Sequence, residues 1–156
     1  IAVLPFFQVV EDIIEFINED NISKYAVVVG TDSGESTQAD GHPGKAEFVS
    51  VIVVHRIGKH GRFFWKKMHN INTYDRHDRI IKEAIFSLEL AQCLIVNLRD
   101  KLSEHLYDFE IHLDIGQNGP TKNMIQEIVG MITGNGFTAK IKPHSYAANK
   151  VADRYV

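Results

Sequence analysis

Residues 26–34 read AVVVGTDSG, and this stretch decides the fold. Val27, Val28 and Val29 extend an apolar run that begins at Tyr25 and stops at Gly30, Thr31 and Asp32. A continuous β-branched run of this length predicts a strand buried on both faces, central to its sheet. An ionised carboxylate at the end of such a strand is costly unless a cation or several donors neutralise it. Two readings of Asp32 are open. It is a metal ligand carried by the most rigid element of the fold, or with Ser33 it begins a turn, as both residue types favour.

Around this strand the chain is ordinary in composition. Its 156 residues are 44% hydrophobic and 24% charged, enough for one domain over 1–156 with a real core. The formal charge of −3 excludes a binder that works through a basic tail, but leaves room for a local basic surface. The lone Cys93 excludes an internal disulfide and a thiolate zinc site, and its place in a helical pattern predicts a buried thiol. With no signal-peptide pattern and no long apolar run, a cytoplasmic location is expected.

Upstream, Val9, Val10, Ile13, Ile14 and Ile17 predict an amphipathic helix over 8–20. Downstream, 33–45 reads as a loop rich in glycine, with GHPGK at 41–45 lacking the spacing of a phosphate-binding loop. Residues 47–56 and 62–68 form a hairpin about the turn IGKHG, its first strand antiparallel to the central one. Ile81, Ala84, Ile85, Leu88, Ala91 and Ile95 mark a long helix over 75–101. Phe109, Ile111 and Leu113 alternate with polar residues in a strand that ends at Asp114. A helix with Ile125, Ile128, Val129 and Ile132 follows, with Pro120 suited to its first turn. Gly134-Asn135-Gly136 stops it, and 137–142 form a last strand. After Pro143, Ser145 is placed to cap a final helix bearing Ala148, Val151, Ala152 and Tyr155. The two helical crossovers require parallel strands, right-handed by the usual rule.

If the strands ending at Asp32 and Asp114 are parallel neighbours, about 4.8 Å apart, both carboxylates leave the same edge of the sheet. The long helix offers Glu83 or Glu89 as a third acid. Glu83 lies at the margin of the apolar stripe, whereas Glu89 points further toward solvent. Asp153 on the last helix is a fourth. Carboxylate oxygens suit Mg2+ or Mn2+, and two such ions about 3.5–4 Å apart support hydrolysis of a phosphodiester. Each acid has an ordinary alternative, in a cap, an ion pair or plain solvation.

The order of elements with Asp32, Glu83, Asp114 and Asp153 resembles the ribonuclease H fold and its four-carboxylate site. VGTDS at 29–33, FVSVIVVHRIGKHGRFFW at 48–65, SLELA at 87–91, DIGQNGPTK at 114–122 and GNGFTAKIKP with SYAANKVADRY beyond resemble the YkuK-like family of ribonuclease H-like proteins. Gly34 and His144 depart from that pattern. The resemblance implies an α/β fold with a mixed five-stranded sheet, three strands antiparallel and then two parallel, flanked by helices and preceded by an extra N-terminal helix. By analogy it implies a divalent-metal nuclease whose products carry a 5′-phosphate and a 3′-hydroxyl. The rival is a module on the same fold that binds nucleic acid or docks a partner without turnover.

Residues 56–82 carry a local charge of +6 from eight basic and two acidic residues, with Phe63, Phe64 and Trp65 interleaved. Lys59, Arg62, Lys66 and Lys67 are candidate contacts for RNA, DNA or a hybrid, or else guard a soluble sheet edge. Lys122 stands near a helix N-terminus, where it meets a phosphate or is merely solvated. None of the eight histidines sits in a metal-binding spacing, though His112 shares a strand face with Asp114 and is expected at the site's edge.

Overall fold

The computed structural model describes residues 4–34 and 44–156. Helix α1 (Phe6–Asn18) precedes strands β1 (Tyr25–Ser33), β2 (Gly44–Arg56) and β3 (Gly61–Thr73). Helix α2 (Arg76–Arg99), strand β4 (Tyr107–His112), helix α3 (Ile125–Gly134) and strand β5 (Thr138–Lys140) follow. The chain then forms a π-helical turn, Ala147–Val151, and a 3₁₀ turn, Ala152–Tyr155. The sheet order is β3-β2-β1-β4-β5, with β1–β2 and β2–β3 antiparallel and β1–β4 and β4–β5 parallel. The AVVVG run is therefore the middle strand, and Val27, Val28 and Val29 are wholly buried. The loop expected over 33–45 lies largely outside the described residues, and its last two residues already belong to β2.

Alternation along β1 sorts the core into two layers. Tyr25, Val27 and Val29 pack with α1, α2 and α3, while Val28 packs with Val49, Val51, Ala147 and Ala152 on the opposite face. Asp75 caps α2 by accepting from the Asp78 backbone N–H at 2.8 Å. At the other end of the chain's first layer, Arg56 is buried against α1. Its guanidinium donates to the Phe16 carbonyl at 2.8 Å and the Tyr25 hydroxyl at 3.0 Å, and lies 4.2 Å from the Phe16 ring centroid. A cation suits this place because the carbonyls of the last helical turn carry partial negative charge.

Three local expectations change. Cys93 is exposed, because it lies off the buried stripe of Ala84, Ala91, Leu94 and Leu98. Pro120 does not open α3; a 3₁₀ turn, Lys122–Met124, intervenes before Ile125. The final segment is no regular α-helix, and the Ser145 hydroxyl is buried without a hydrogen-bond partner instead of capping it. The segment lies flat on β1. A Cβ on Gly30 would stand 2.8 Å from the Ala148 nitrogen and 3.1 Å from the Ala147 carbonyl carbon. Only glycine permits that approach. Gly30→Ala should therefore destabilise the protein by about 1–3 kcal/mol, read from the midpoint of urea unfolding at unchanged slope.

Candidate metal centre at the end of the central strand

The last residues of β1 point alternately to the two layers, and this places the acids. Thr31 and Ser33 face α2, whereas Asp32 faces the C-terminal segment and Asp153. Ser87 on α2 donates to the Thr31 hydroxyl at 2.8 Å, and Thr31 meets the Ser50 hydroxyl of β2 at 2.7 Å. Glu83, one turn before Ser87 on the same helix face, accepts a short hydrogen bond from the Ser33 hydroxyl. Glu83 is 8% exposed, and Glu89 is exposed to solvent.

Asp114 reaches the same edge from the parallel neighbour. Gly30 and His112 form the last paired rung of β1 and β4, and Asp114 lies two residues beyond it, near enough for its charge to act on Asp32. With Thr31, Glu83 and Ser87, Asp114 lines a cavity of about 10 Å³, on the order of one water sphere. Lys142 was not among the expected site residues. Its Nζ lies 3.0 Å from Asp114 Oδ1, yet without hydrogen-bond alignment, so that buried oxygen has an ion-pair neighbour and no donor. The signal for it was present in the pairing of β4 with β5, where His112 faces Lys140 and residue 142 therefore follows 114.

The electrostatics follow from crowding acids at a buried edge. Asp32 is only 6% exposed. Its burial, the hydrogen bond with Asp153 and the nearby charge of Asp114 push its carboxyl up to about 7. Glu83 is also raised, by burial first and then by Asp32 and Asp114, against the opposing pull of Ser33 and Arg79. Such a cluster holds protons near neutral pH, and a divalent cation is the other way to settle its charge. Among the described residues no three His, Cys, Asp or Glu side chains are grouped to hold one ion. The fit is therefore at the level of pairs, Asp32 with Asp153 above all, with the unpartnered Asp114 oxygen beside them. That suits Mg2+, which keeps most of its waters and takes one or two carboxylates plus substrate oxygens.

The basic residues of 56–82 do not share one surface. Alternation along β3 turns Phe64 toward the α-helical layer, and Arg62 lies over the Phe16 ring at 5.1 Å. Lys66, at an even position like these, stands on the face opposite to Lys67. Lys67 pairs with Glu47 at 3.0 Å, and Lys59 with Asp20 at 3.1 Å. Lys122 is exposed in the turn before α3, remote in sequence from the hairpin. His112 is buried, not at an open edge. Its Nδ1 accepts from the Ala147 N–H at 3.2 Å while Nε2 lies 3.0 Å from Glu110, which fixes the neutral ring and helps hold the C-terminal segment. Burial lowers its affinity for a proton.

A family model described as Ribonuclease H-like matches residues 8–156. The chain is also similar to "Uncharacterized protein YkuK" of Bacillus subtilis (strain 168), with 33% identity over 165 residues covering 99% of this chain and 92% of that protein. No solved structure matches.

Because Asp32 has a folded value above its unfolded one, its favourable contribution is full below about pH 3.8 and is lost as pH rises through about 7. Asp32→Asn should therefore stabilise the metal-free protein at pH 8, by about 1–2 kcal/mol, with the gain vanishing near pH 4. Adding Mg2+ at pH 8 should raise the melting temperature of the wild type and leave the variant unmoved, measured by thermal unfolding.

Proposed function

The chain belongs to the ribonuclease H-like family, and from that premise we propose that it is a divalent-metal-dependent nuclease. The observation that carries the reading is that Asp153 and Asp114, distant in sequence from Asp32, both lie near enough to raise its carboxyl at the end of the central strand. Proteins of this fold generally use divalent metals, and the donors here are hard oxygens suited to Mg2+ or Mn2+. When bound, such an ion activates water and neutralises charge building on a phosphoryl group.

The protein's own part is to position and to balance charge. Asp32 and Asp153 would hold the ion from two elements, β1 and the C-terminal segment. Ser33 keeps the Glu83 carboxyl turned toward the cluster through its hydroxyl. Glu83 has a proton affinity raised by burial and by Asp32 and Asp114, which suits it to take a proton from water. Lys142, half-exposed on a flexible stem, can leave Asp114 for a substrate phosphate once a cation takes its place. Water oxygen attacks phosphorus, the bond to the 3′ oxygen breaks, and that oxygen leaves with a proton as a 3′-hydroxyl. The other fragment keeps the 5′-phosphate.

Labelled RNA, DNA and hybrid incubated with Mg2+ or Mn2+ test the reading. Cleavage is expected with at least one of them, lost on chelation and reduced about 10²-fold or more in Asp32→Asn. Metal-independent binding with no cleavage of any substrate would instead establish a non-catalytic nucleic-acid-binding module.

A further inference from the structure

The face of the sheet that bears Asp32 carries a second feature two strands away. Cross-strand pairing sets Asp32, Val49 and Lys67 in one row, Gly30, Val51 and Trp65 in the next, and Val28, Val53 and Phe63 in a third. Trp65 and Phe63 are 45% and 47% exposed on this face. Tyr155 braces them, stacked on the Trp65 ring at 4.4 Å with 14° between planes and tilted 6.1 Å from Phe63. Tyr155 lies only two residues beyond Asp153, so one short turn holds both an acid of the candidate centre and the brace of the aromatic platform. Two strand spacings, about 10 Å, separate Trp65 from β1.

We propose that Trp65, Phe63 and Tyr155 form a base-stacking platform that selects single-stranded nucleic acid for the neighbouring carboxylates, an assignment that rests on the nuclease reading above. Unpaired bases present free π-faces, and duplex bases have already spent theirs on one another. A rigid, partly exposed aromatic cluster is matched to the first and has nothing to engage in the second. Charge agrees with this occupant. Lys67 lies in the Asp32 row, and its half-exposed pairing with Glu47 is open enough to water for a phosphate to displace it. Lys150 and Arg154 are exposed on the same C-terminal segment. A strand whose phosphate sits at the acids therefore meets cations and aromatic faces as it crosses toward β3.

Trp65 is the sole tryptophan of the chain, so its fluorescence reports the platform directly. The 156-residue protein in EDTA, where metal-dependent cleavage is off, is titrated with eight-nucleotide oligouridylate and oligothymidylate and with a blunt duplex of equal length. Single strands should quench Trp65, with the duplex at least tenfold weaker. By anisotropy of a labelled strand, Trp65→Ala and Phe63→Ala should each weaken binding about 5- to 100-fold, and Trp65→Phe only a few-fold. If Trp65→Ala fails to fold, quenching of the wild type and the Phe63→Ala affinity decide the matter. Absence of quenching, equal affinity for duplex, or unchanged binding by Phe63→Ala would overturn the platform. Quenching by single strands without cleavage under Mg2+ or Mn2+ would sink the nuclease reading alone, whereas cleavage without quenching would sink the platform alone.

Discussion

The contact between the Gly30 backbone and the backbone of Ala147 and Ala148 governs everything at this end of the molecule. A strand interior ordinarily gains from a side chain, and glycine there costs conformational entropy. Here the missing Cβ lets an irregular segment lie directly on the central strand. That contact delivers Asp153 to Asp32 and Tyr155 to Trp65. His112 supports it from the adjacent strand by accepting the Ala147 N–H, so two strands hold one turn in place.

Crowding acids in a partly dry edge is unfavourable in isolation. Burial and mutual repulsion raise the proton affinity of Asp32 and Glu83, while Ser33 and Arg79 offset part of that for Glu83. The stability given up here is recovered in the layers beneath, where Phe16, Ile17, Leu94, Leu98, Ile111 and Ile132 are wholly or almost wholly buried.

The fold was largely legible in the sequence because periodicity and β-branched runs report burial. The three valines named the middle strand and the alternation at 109–114 named a strand ending at Asp114; a shared edge for Asp32 and Asp114 was conditional on their being parallel neighbours, as the sheet has them. Helical phase separated Glu83 from Glu89 by the same logic. What escaped depends on contacts between distant segments. The segment after Pro143 has the residues of a helix, but its approach to Gly30 sets a π turn and a 3₁₀ turn instead. The charge of +6 over 56–82 looked like one surface, yet Arg56 is consumed in anchoring α1 and strand alternation separates Lys66 from Lys67. Lys142 became visible only once β5 was seen beside β4.

The hydroxyls of Ser87, Thr31 and Ser50 have one further consequence. Ser87 gives its proton to Thr31, and Thr31 shares a second hydrogen bond with Ser50, so three hydroxyls tie three elements together. Sliding α2 along the sheet by one residue would rotate Ser87 away by about 100° and strand two buried oxygens. The relay thus works as an index pin, and the height of Glu83 above the sheet is set by a serine one turn away that touches no acid itself.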